Sequence, residues 1–285
     1  MKFEQKVLTY KGKIVFEKRT LPYFKRLPKQ FFEEEACFIF VNRGAFSVRS
    51  QTEFLSFKKG SGLLAKCLNY FFETTESQRK EGDWIEVIGV LFYPSIIQEL
   101  FQFDLALSNH TVNYNLKQLE IDVLLDHFKE SIIILIDNPE LADEAMIGNK
   151  LKELVLLLSK IQRAPSQLDF LAAMFKPEFH EFKTIIQKNL YSDLSSAELA
   201  ALCHMSVSSF KRKFQETFKE SPKKYIAKKK TEKAAKLLVS TDMRISDIAY
   251  DCGYESIASF NRNFKLQFGT SPSSYRLSHN DQLLS

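Results

Sequence analysis

The amino-acid sequence predicts an α+β fold with a β-rich first part and an all-α last part. Short apolar runs separated by turn residues occupy the segment before Tyr93. Apolar residues at helical spacing then take over from Leu116. An internal repeat of helical character fills the segment after His180. We therefore expect a β-sandwich or barrel with a helix pair, followed by a helical domain.

The first part contains several predicted strands. Ala36–Val41 is apolar throughout, and Asn42, Arg43 and Gly44 form a turn signal after it. Another turn is predicted at Gly60–Gly62, and Trp84–Phe92 is a further strand candidate. Short strands at near-regular spacing are typical of a small sandwich or barrel.

Two helices are predicted to follow these strands. The first covers Leu116–Ile136. The second begins where Asn138 is the N-cap and Pro139 is the first helical residue, and it ends near Ile161. So much aliphatic surface needs a partner, which is either the core of the β-domain or a second subunit. Both possibilities stay open, and Arg163–Gln167 is predicted to be a linker.

Charge is unevenly distributed along the chain. The 285 residues carry a net charge of +5, with 45% hydrophobic and 26% charged residues, which excludes a disordered chain. Residues 180–285 hold 17 Lys and Arg against 11 Asp and Glu, so the basic excess lies in the repeat. A basic domain of this kind indicates an anionic partner.

Other function classes find no support in the sequence. The start lacks an apolar signal segment, and no apolar run is long enough to cross a bilayer, so we expect a cytoplasmic protein. The four Cys show no metal-binding spacing and the five His are scattered. We therefore predict no metal, no cofactor, no catalytic residues and no enzymatic activity.

The internal repeat is the strongest feature of the sequence. Ser206–Tyr225 aligns without gaps onto Ser256–Tyr275, with nine of 20 positions identical. Upstream, Leu199–Cys203 matches Ile248–Cys252, and the one-residue difference in offset falls in the following turn. Two helices joined by a tight turn, present twice, form a duplicated helix–turn–helix.

Each repeat has an inner and an outer face. Ser195 and Glu198 form a capping box, and Ser206 caps the second helix of the first repeat. Phe residues recur every four positions and are predicted to face the core: Phe210, Phe214, Phe218, Phe260, Phe264 and Phe268. Arg and Lys suit guanine and Asn suits adenine in the major groove. The predicted DNA-binding residues are Ser208, Lys211, Arg212, Gln215, Ala258, Asn261, Arg262 and Lys265.

A longer helix is predicted between the repeats. Ser221 caps it, Pro222 begins it, and it ends near Val239, a length of about 27 Å. Such a spacer holds two recognition helices about 34 Å apart, one turn of DNA. Among its seven lysines, the predicted phosphate contacts are Lys223, Lys229, Lys230 and Lys233.

These residues resemble the AraC/XylS family of bacterial transcriptional regulators. The signature consists of Ile248-Ala249, Cys252-Gly253-Tyr254, Ser259-Phe260, Arg262, Phe264-Lys265, Phe268-Gly269, Ser271-Pro272 and Tyr275-Arg276. The resemblance implies a seven-helix domain in which DNA contacts fall on Ser208, Lys211, Arg212, Ile257, Ala258, Asn261 and Arg262. Lys230 departs from the family, which usually has Arg there, and Ile257-Ala258 is apolar where polar residues are common.

The first part of the chain shows a looser resemblance. Glu35–Gly44 and Phe57–Gly60 look like the cupin-type sensory domain of many AraC proteins. The helix pair is similar to the dimerisation region of the ExsA-like subgroup, which implies regulation by partner proteins. A small-molecule sensor instead needs an enclosed pocket. The Phe-rich segment favours a filled, apolar barrel: Phe31, Phe32, Phe38, Phe40, Phe46, Phe54 and Phe57.

Together these observations predict a regulator in three parts. Residues 1–163 form a cupin-like regulatory and dimerisation domain, 164–179 a linker, and 180–285 an AraC-type DNA-binding domain. We expect an activator that binds double-stranded DNA as a homodimer through helices 116–161, contacts RNA polymerase, and responds to an unidentified small-molecule or protein effector. The alternative is a cupin-type small-molecule binding protein or enzyme without a DNA role.

Overall fold

Two units make up the chain, residues 1–179 and 180–285. The structure is a computed structural model, and it describes residues 3–29, 35–79 and 84–283. Phe31 and Phe32, which belong to the Phe-rich segment, lie outside the described residues.

The first unit is built on two antiparallel sheets. The larger has strand order β1-β2-β9-β4-β7-β10 and the smaller β3-β8-β5-β6. The strands are β1 (Glu4–Tyr10), β2 (Lys13–Pro22), β3 (Arg26–Lys29), β4 (Ala36–Arg43), β5 (Ala45–Arg49), β6 (Phe54–Lys58), β7 (Ser61–Ala65), β8 (Tyr70–Glu73), β9 (Trp84–Phe92) and β10 (Leu116–Glu120). With the helical second unit, this arrangement confirms the predicted α+β fold.

Strand β4 shows why the apolar run before Asn42 is continuous. Cys37 and Ile39 face the core between the two sheets. Phe38 and Phe40 point to the other side, where a second core lies between the larger sheet and the helices. Because β4 is buried on both faces, both sets of alternating side chains are apolar. The Phe-rich segment therefore contributes to two cores rather than to one barrel interior.

The first unit has five α-helices in its described residues. They are α1 (Glu76–Arg79), α2 (Pro94–Phe101), α3 (Val123–Asp137), α4 (Glu144–Ile161) and α5 (Gln167–Met174). Helix α1 lies beside β5 of the smaller sheet, and the others pack with the larger sheet. Phe128 of α3 and Leu151 of α4 join the same core as Phe40 of β4. The helix pair thus finds its partner in the β-domain's own core, one of the two possibilities left open by the sequence.

The predicted start of the helix pair is wrong. Residues 116–120 form β10, which pairs with β7 in the register Leu116 to Ala65. The spacing of Leu116 and Leu119 fits a helix, but these residues complete the edge of a sheet whose partner strand is far away in sequence. Helix α3 begins only after Asp122, whose Oδ1 accepts a hydrogen bond from the Leu125 backbone N–H at 2.8 Å.

The predicted start of the second helix also needs correction. Pro139–Leu141 forms a single 3-10 turn, and α4 begins at Glu144. Asp143 is its N-cap and accepts from the Met146 N–H at 2.7 Å. Asn138 instead closes α3, because its side-chain amide donates to the Ile134 carbonyl at 2.9 Å.

Residues 164–179 form part of the first unit instead of a free linker. Phe170, Leu171 and Met174 of α5 enter the core of the unit. The Asn115 side chain then holds Glu178, since its Nδ2 donates to the Glu178 carbonyl and its Oδ1 accepts from the Glu178 N–H, both at 2.7 Å. The Pro and Ser residues in the sequence mark the start of a packed helix and not a domain boundary.

The second unit consists of helices throughout its described residues. They are α6 (Phe182–Lys188), α7 (Ser196–Leu202), α8 (Val207–Phe218), α9 (Pro222–Ser240), α10 (Ile245–Asp251), α11 (Ile257–Phe268) and α12 (Pro272–Leu283). The repeat in the sequence becomes a repeat of structure, with α7 and α8 equivalent to α10 and α11.

Each repeat has its own small core. Phe210 and Phe214 of α8 are fully buried with Ile186 and Leu199. In the second repeat, Phe260 and Phe264 of α11 are likewise fully buried, packed in a core that includes residues of α9 and α10. The Phe stripes therefore lie inside, as the four-residue spacing predicts.

Candidate nucleic-acid interface

The two helix–turn–helix units start their second helices in the same way. Ser206 Oγ accepts from the Ser209 N–H, and Ser256 Oγ accepts from the Ser259 N–H, both at 3.2 Å. These bonds satisfy one free N–H at the start of each helix and fix where α8 and α11 begin. The predicted capping box of Ser195 and Glu198 at α7 is also present.

All eight residues predicted to read DNA are exposed on the outer faces of α8 and α11. They are Ser208, Lys211, Arg212, Gln215, Ala258, Asn261, Arg262 and Lys265. Arg212 and Arg262 occupy equivalent places, and within the described part of the chain neither forms an ion pair with a carboxylate. Both guanidinium groups are therefore available to accept a ligand.

The outer face of α11 is less polar than that of α8. Leu266 is 79% exposed, and the residue at the equivalent place in α8 is Glu216. Ile257 at the start of α11 is 40% exposed, next to Ala258. Apolar side chains here suit contact with thymine methyl groups, while Asn261 and Arg262 supply the hydrogen-bonding groups.

Five of the seven lysines of α9 fall into three groups. Lys223 and Lys224 are exposed near the start of the helix. Lys229 pairs with Glu232 at 2.8 Å, which raises the pKa of Lys229, and Lys233 pairs with Asp251 at 2.6 Å. Such partly exposed ion pairs contribute little to stability, so these lysines remain free to exchange their partners for phosphates.

Lys230 forms the third group and contradicts its predicted role as a phosphate contact. The residue is 9% exposed, and its Nζ donates to the Ser192 carbonyl at 2.6 Å and to the Gly253 carbonyl at 2.7 Å. Burial lowers the pKa of Lys230. Lys230 lies four residues from both Ile226 and Ala234, which are apolar, and this helical spacing places it on the inner side of α9. The sequence therefore contains the pattern that indicates burial of Lys230.

The Lys230 bonds connect the two helix–turn–helix units. Ser192 precedes the first helix–turn–helix, and Gly253 lies in the turn of the second helix–turn–helix. Gly253 has a φ of +78°, and a Cβ there would lie 2.0 Å from the Tyr191 carbonyl oxygen. Beside it, the hydroxyls of Thr231 and Tyr254 are 2.7 Å apart. The turn of the second helix–turn–helix is thus packed directly against the segment that leads into the first helix–turn–helix.

Arg276, like Lys230, stabilises the helical unit through hydrogen bonds, a role that the sequence analysis does not predict. Its guanidinium donates to the carbonyls of Leu238, Thr241 and Met243 at 3.0, 3.3 and 2.8 Å. These carbonyls lie at and after the end of α9, where a helix leaves its last acceptors unpaired. Arg276 therefore fixes α12 to the end of the helix that separates the two repeats.

The described residues contain no cluster suited to thiol chemistry or to metal binding. The pKa of the Cys203 thiol is raised to about 12 and that of Cys252 to about 11, in both cases mainly by burial. Neither thiol is poised as a thiolate. No group of three or more His, Cys, Asp or Glu in the described ranges is placed to hold a metal ion. Among these residues, no helix has the length and apolarity needed to cross a membrane.

Two family models match the chain. The helix-turn-helix domain model matches residues 199–278, which contain both repeats, and the ExsA N-terminal regulatory domain model matches residues 36–170. The chain belongs to the AraC family.

Curated relatives of this AraC-family chain are transcriptional regulators. The HTH-type transcriptional regulator ExsA of Pseudomonas aeruginosa is 24% identical over 127 residues, which cover 45% of this chain and 46% of ExsA. The virulence regulon transcriptional activator VirF of Yersinia enterocolitica is 26% identical over 128 residues, covering 45% and 47%. The matched region thus spans about half the length of these relatives.

A solved structure similar to the second unit is the DNA-binding domain of AdpA in complex with a target DNA. It is 25% identical and covers 35% of this chain and 91% of that chain, with a TM-score of 0.34.

The first unit contains a cavity of about 290 Å³ between its two sheets. Its walls include the apolar residues Ile39, Phe46 and Val87, and Glu17 and Arg19 add charge. Glu17 Oε2 accepts from Arg19 Nε at 2.9 Å. The barrel is thus neither completely filled nor large, since ligand pockets usually exceed about 300 Å³.

Proposed function

We propose that this chain is a sequence-specific DNA-binding regulator of transcription that acts as an activator. The observation that carries the proposal is the pair of equivalent recognition helices, α8 and α11. Each exposes arginine and lysine opposite a buried Phe stripe, in a unit with a basic excess. The relatives support it, since ExsA is named a transcriptional regulator and VirF a transcriptional activator.

In this proposal α8 and α11 enter adjacent segments of the major groove. Arg212 and Arg262 bind guanine edges, and Asn261 binds adenine. Lys223, Lys229 and Lys233 contact phosphates and fix the register without reading sequence. Helix α9 has 19 residues and a length of about 28 Å, which separates the two recognition helices along the DNA.

In this proposal the first unit regulates DNA binding by the second unit. We propose that it forms a homodimer through α3 and α4, and that a small-molecule or protein effector sets the geometry of that dimer. A contact with RNA polymerase then raises transcription. A DNA partner also implies a cytoplasmic location and a regulatory rather than an enzymatic role.

The direct test begins with selection of the operator from genomic DNA fragments, followed by titration measured as fluorescence anisotropy. Arg212→Ala and Arg262→Ala are each expected to weaken operator binding by about 1–3 kcal/mol, because each removes a contact to a base edge. Lys59→Ala, at an exposed position of the turn after β6, is the control and should leave the affinity unchanged.

The same titration separates this proposal from a cupin-type binding protein or enzyme without a DNA role. Phosphate contacts give a steep fall of affinity with salt, with a slope of about −0.9 per contact. Wild-type affinity in both arginine variants would contradict the roles given to α8 and α11. Absence of salt-dependent DNA binding would contradict the function itself.

A further inference from the structure

A second cavity, of about 750 Å³, lies at the end of the first unit. The residues of its wall that matter here are Lys66, Tyr114, Lys117, Phe170, Lys176 and Glu178. It is separate from the cavity between the sheets, with which it shares no lining residue. Neither the DNA-binding surface nor the barrel interior accounts for it.

Lys66 places a buried positive charge at this cavity. The residue is 1% exposed, and its Nζ donates to the carbonyls of Val112 and Lys176, both at 2.9 Å. An ammonium has three donors, so these two neutral acceptors leave one N–H. In the described ranges no carboxylate lies within ion-pair distance of Lys66. Burial lowers the pKa of Lys66, which reflects the cost of keeping the charge there.

Two further lysines face the same space. Lys117 Nζ lies 5.0 Å from the centre of the Tyr114 ring, and Lys176 Nζ donates to the Ser108 carbonyl. Neither forms an ion pair within the part of the chain that the structure describes. The exposed Glu178 is the opposing charge in the wall. Among the lining residues, three ammonium groups stand against the Glu178 carboxylate, so the wall is cationic, although the charge of Glu53 also acts on Lys66.

The wall is held in place by hydrogen bonds on both sides. Besides the paired bonds between Asn115 and Glu178, the Lys66 backbone N–H donates to the Asn115 carbonyl at 3.0 Å. Cys67 N–H donates to the Met174 carbonyl at 3.3 Å. A cavity fixed in this way binds a ligand with little loss of protein conformational freedom.

We propose that this cavity binds a small organic anion, a carboxylate or phosphate ester that carries a ring or a short apolar group. Lys66, Lys117 and Lys176 hold the anionic end, and the anion balances the positive charge of these ammonium groups. Tyr114 and Phe170 pack against the apolar end. The site consists only of residues of the first unit, so its existence does not depend on DNA binding by the second.

The test uses the full chain and two anionic probes, phenyl phosphate and benzoate, with benzyl alcohol as the neutral analogue. Isothermal titration calorimetry at constant ionic strength measures each affinity. At least one anion is expected to bind saturably at one site with a Kd of about 1 mM or lower. Benzyl alcohol is expected to bind about tenfold more weakly, because it cannot form the charge-assisted bonds.

Variants locate the bound anion. Lys66→Met and Lys117→Met are each expected to weaken binding about tenfold, the cost of one charge-assisted hydrogen bond. Lys117→Met carries the test if Lys66→Met does not fold, since the Lys117 side chain lies at the wall and is partly exposed. Lys152→Met is the matched control and should bind as the wild type does.

Three outcomes would overturn the proposal. The first is that neither anion binds saturably. The second is that binding persists unchanged in Lys117→Met. The third is that Lys223→Met, on the DNA-binding surface, abolishes binding while Lys117→Met does not. The last result would mean that the probes occupy a phosphate-binding surface of the second unit.

Discussion

Lys230 is a lysine whose charge serves the interior of the second unit. Its Nζ donates to the carbonyl of Ser192, just before the first helix–turn–helix, and to that of Gly253, in the turn of the second. Two of its three N–H donors have carbonyl acceptors, and the negative charges of Asp193 and Glu255 favour the ammonium form. Because this residue connects both repeats to α9, its removal should loosen the unit rather than remove a DNA contact.

We expect Lys230→Met to lower the free energy of unfolding of the second unit by about 2–3 kcal/mol, since it leaves two buried carbonyls without donors. Native-state hydrogen exchange on the full chain measures this, and the exposed Lys236→Met is the control. The salt slope of DNA binding should stay unchanged. A slope reduced by about 1, with unaltered stability, would instead indicate a phosphate contact.

Two glycines with similar backbone geometry provide a paired test of packing. Gly253 and Gly269 have φ angles of +78° and +74°, but a Cβ at 253 would meet the Tyr191 carbonyl at 2.0 Å, while one at 269 has open space. Gly269→Ala should cost about 1 kcal/mol from backbone strain alone. Gly253→Ala should cost more, about 3 kcal/mol, because the two repeats must also move apart.

Urea denaturation of both variants, monitored by circular dichroism, measures this difference. Equal losses of stability in the two variants would show that the contact between the Gly253 turn and Tyr191 does not restrict the backbone.

At the scale of elements, α9 acts as a rigid spacer. Its 19 residues begin at Pro222, whose fixed φ suits the first helical position. Its end is capped by Arg276, and its middle is bound to both repeats through Lys230. Because its middle and its end are both bonded to neighbouring segments, we expect α9 to keep its length and twist on a different DNA site.

This rigidity makes a prediction about the operator. Insertion of 5 base pairs between the two recognised segments should reduce the affinity about a hundredfold or more, towards the non-specific level. Insertion of 10 base pairs restores the helical face but adds about 34 Å, so the affinity should not recover. Anisotropy titrations measure both, with 10 base pairs added outside the site as the control. Recovery with the 10-base-pair insertion would mean that α9 bends or unfolds.

The helix pair leaves apolar surface uncovered even though its inner face is packed. The exposed residues on or between the helices are Val123, Leu124, Ile134, Leu141, Met146 and Leu156. This amount of exposed apolar side chain on one helix pair supports its assignment as an interaction surface. It lies on α3 and α4, to which the dimer interface is assigned now that residues 116–120 have proved to be a strand.

At the scale of the whole molecule, the expected assembly is a dimer of twice the 33.1 kDa chain mass. Ile134→Asp, at a position 57% exposed, should abolish it, because a charge cannot be buried against a second apolar patch. Leu107→Asp, 75% exposed outside the helix pair, is the control. Sedimentation equilibrium measures both masses. A wild-type chain that is monomeric at all concentrations would exclude this interface.

The second unit could be predicted well because its information is local. The Phe stripes repeat at four-residue spacing, and the duplication shows the same helix starts twice. Strand β10 could not be predicted, because its pairing with β7 joins segments some fifty residues apart while its two leucines fit a helix equally well. The cavity beside Lys66 is equally hidden, since its walls come from four separate segments of the first unit.

The position of Lys230 could be predicted only in part from the sequence. Seven lysines on one helix suggested phosphate binding for several of them, including Lys230. Its four-residue spacing from the apolar Ile226 and Ala234 favours burial, whereas the many lysines on the helix favour phosphate binding. Position on the helix decided the outcome, because a side chain on the inner stripe cannot reach the solvent.

The packing of α5 into the first unit determines where the chain can be cut. A fragment that stops at Arg163, where the sequence suggests a boundary, would lack Phe170, Leu171 and Met174 and would expose the apolar surface they cover. It would also lose the Glu178 backbone that pairs with Asn115. Such a fragment should be prone to aggregation, whereas one that extends to Phe179 keeps its core closed and is the better choice for crystallisation and ligand screening.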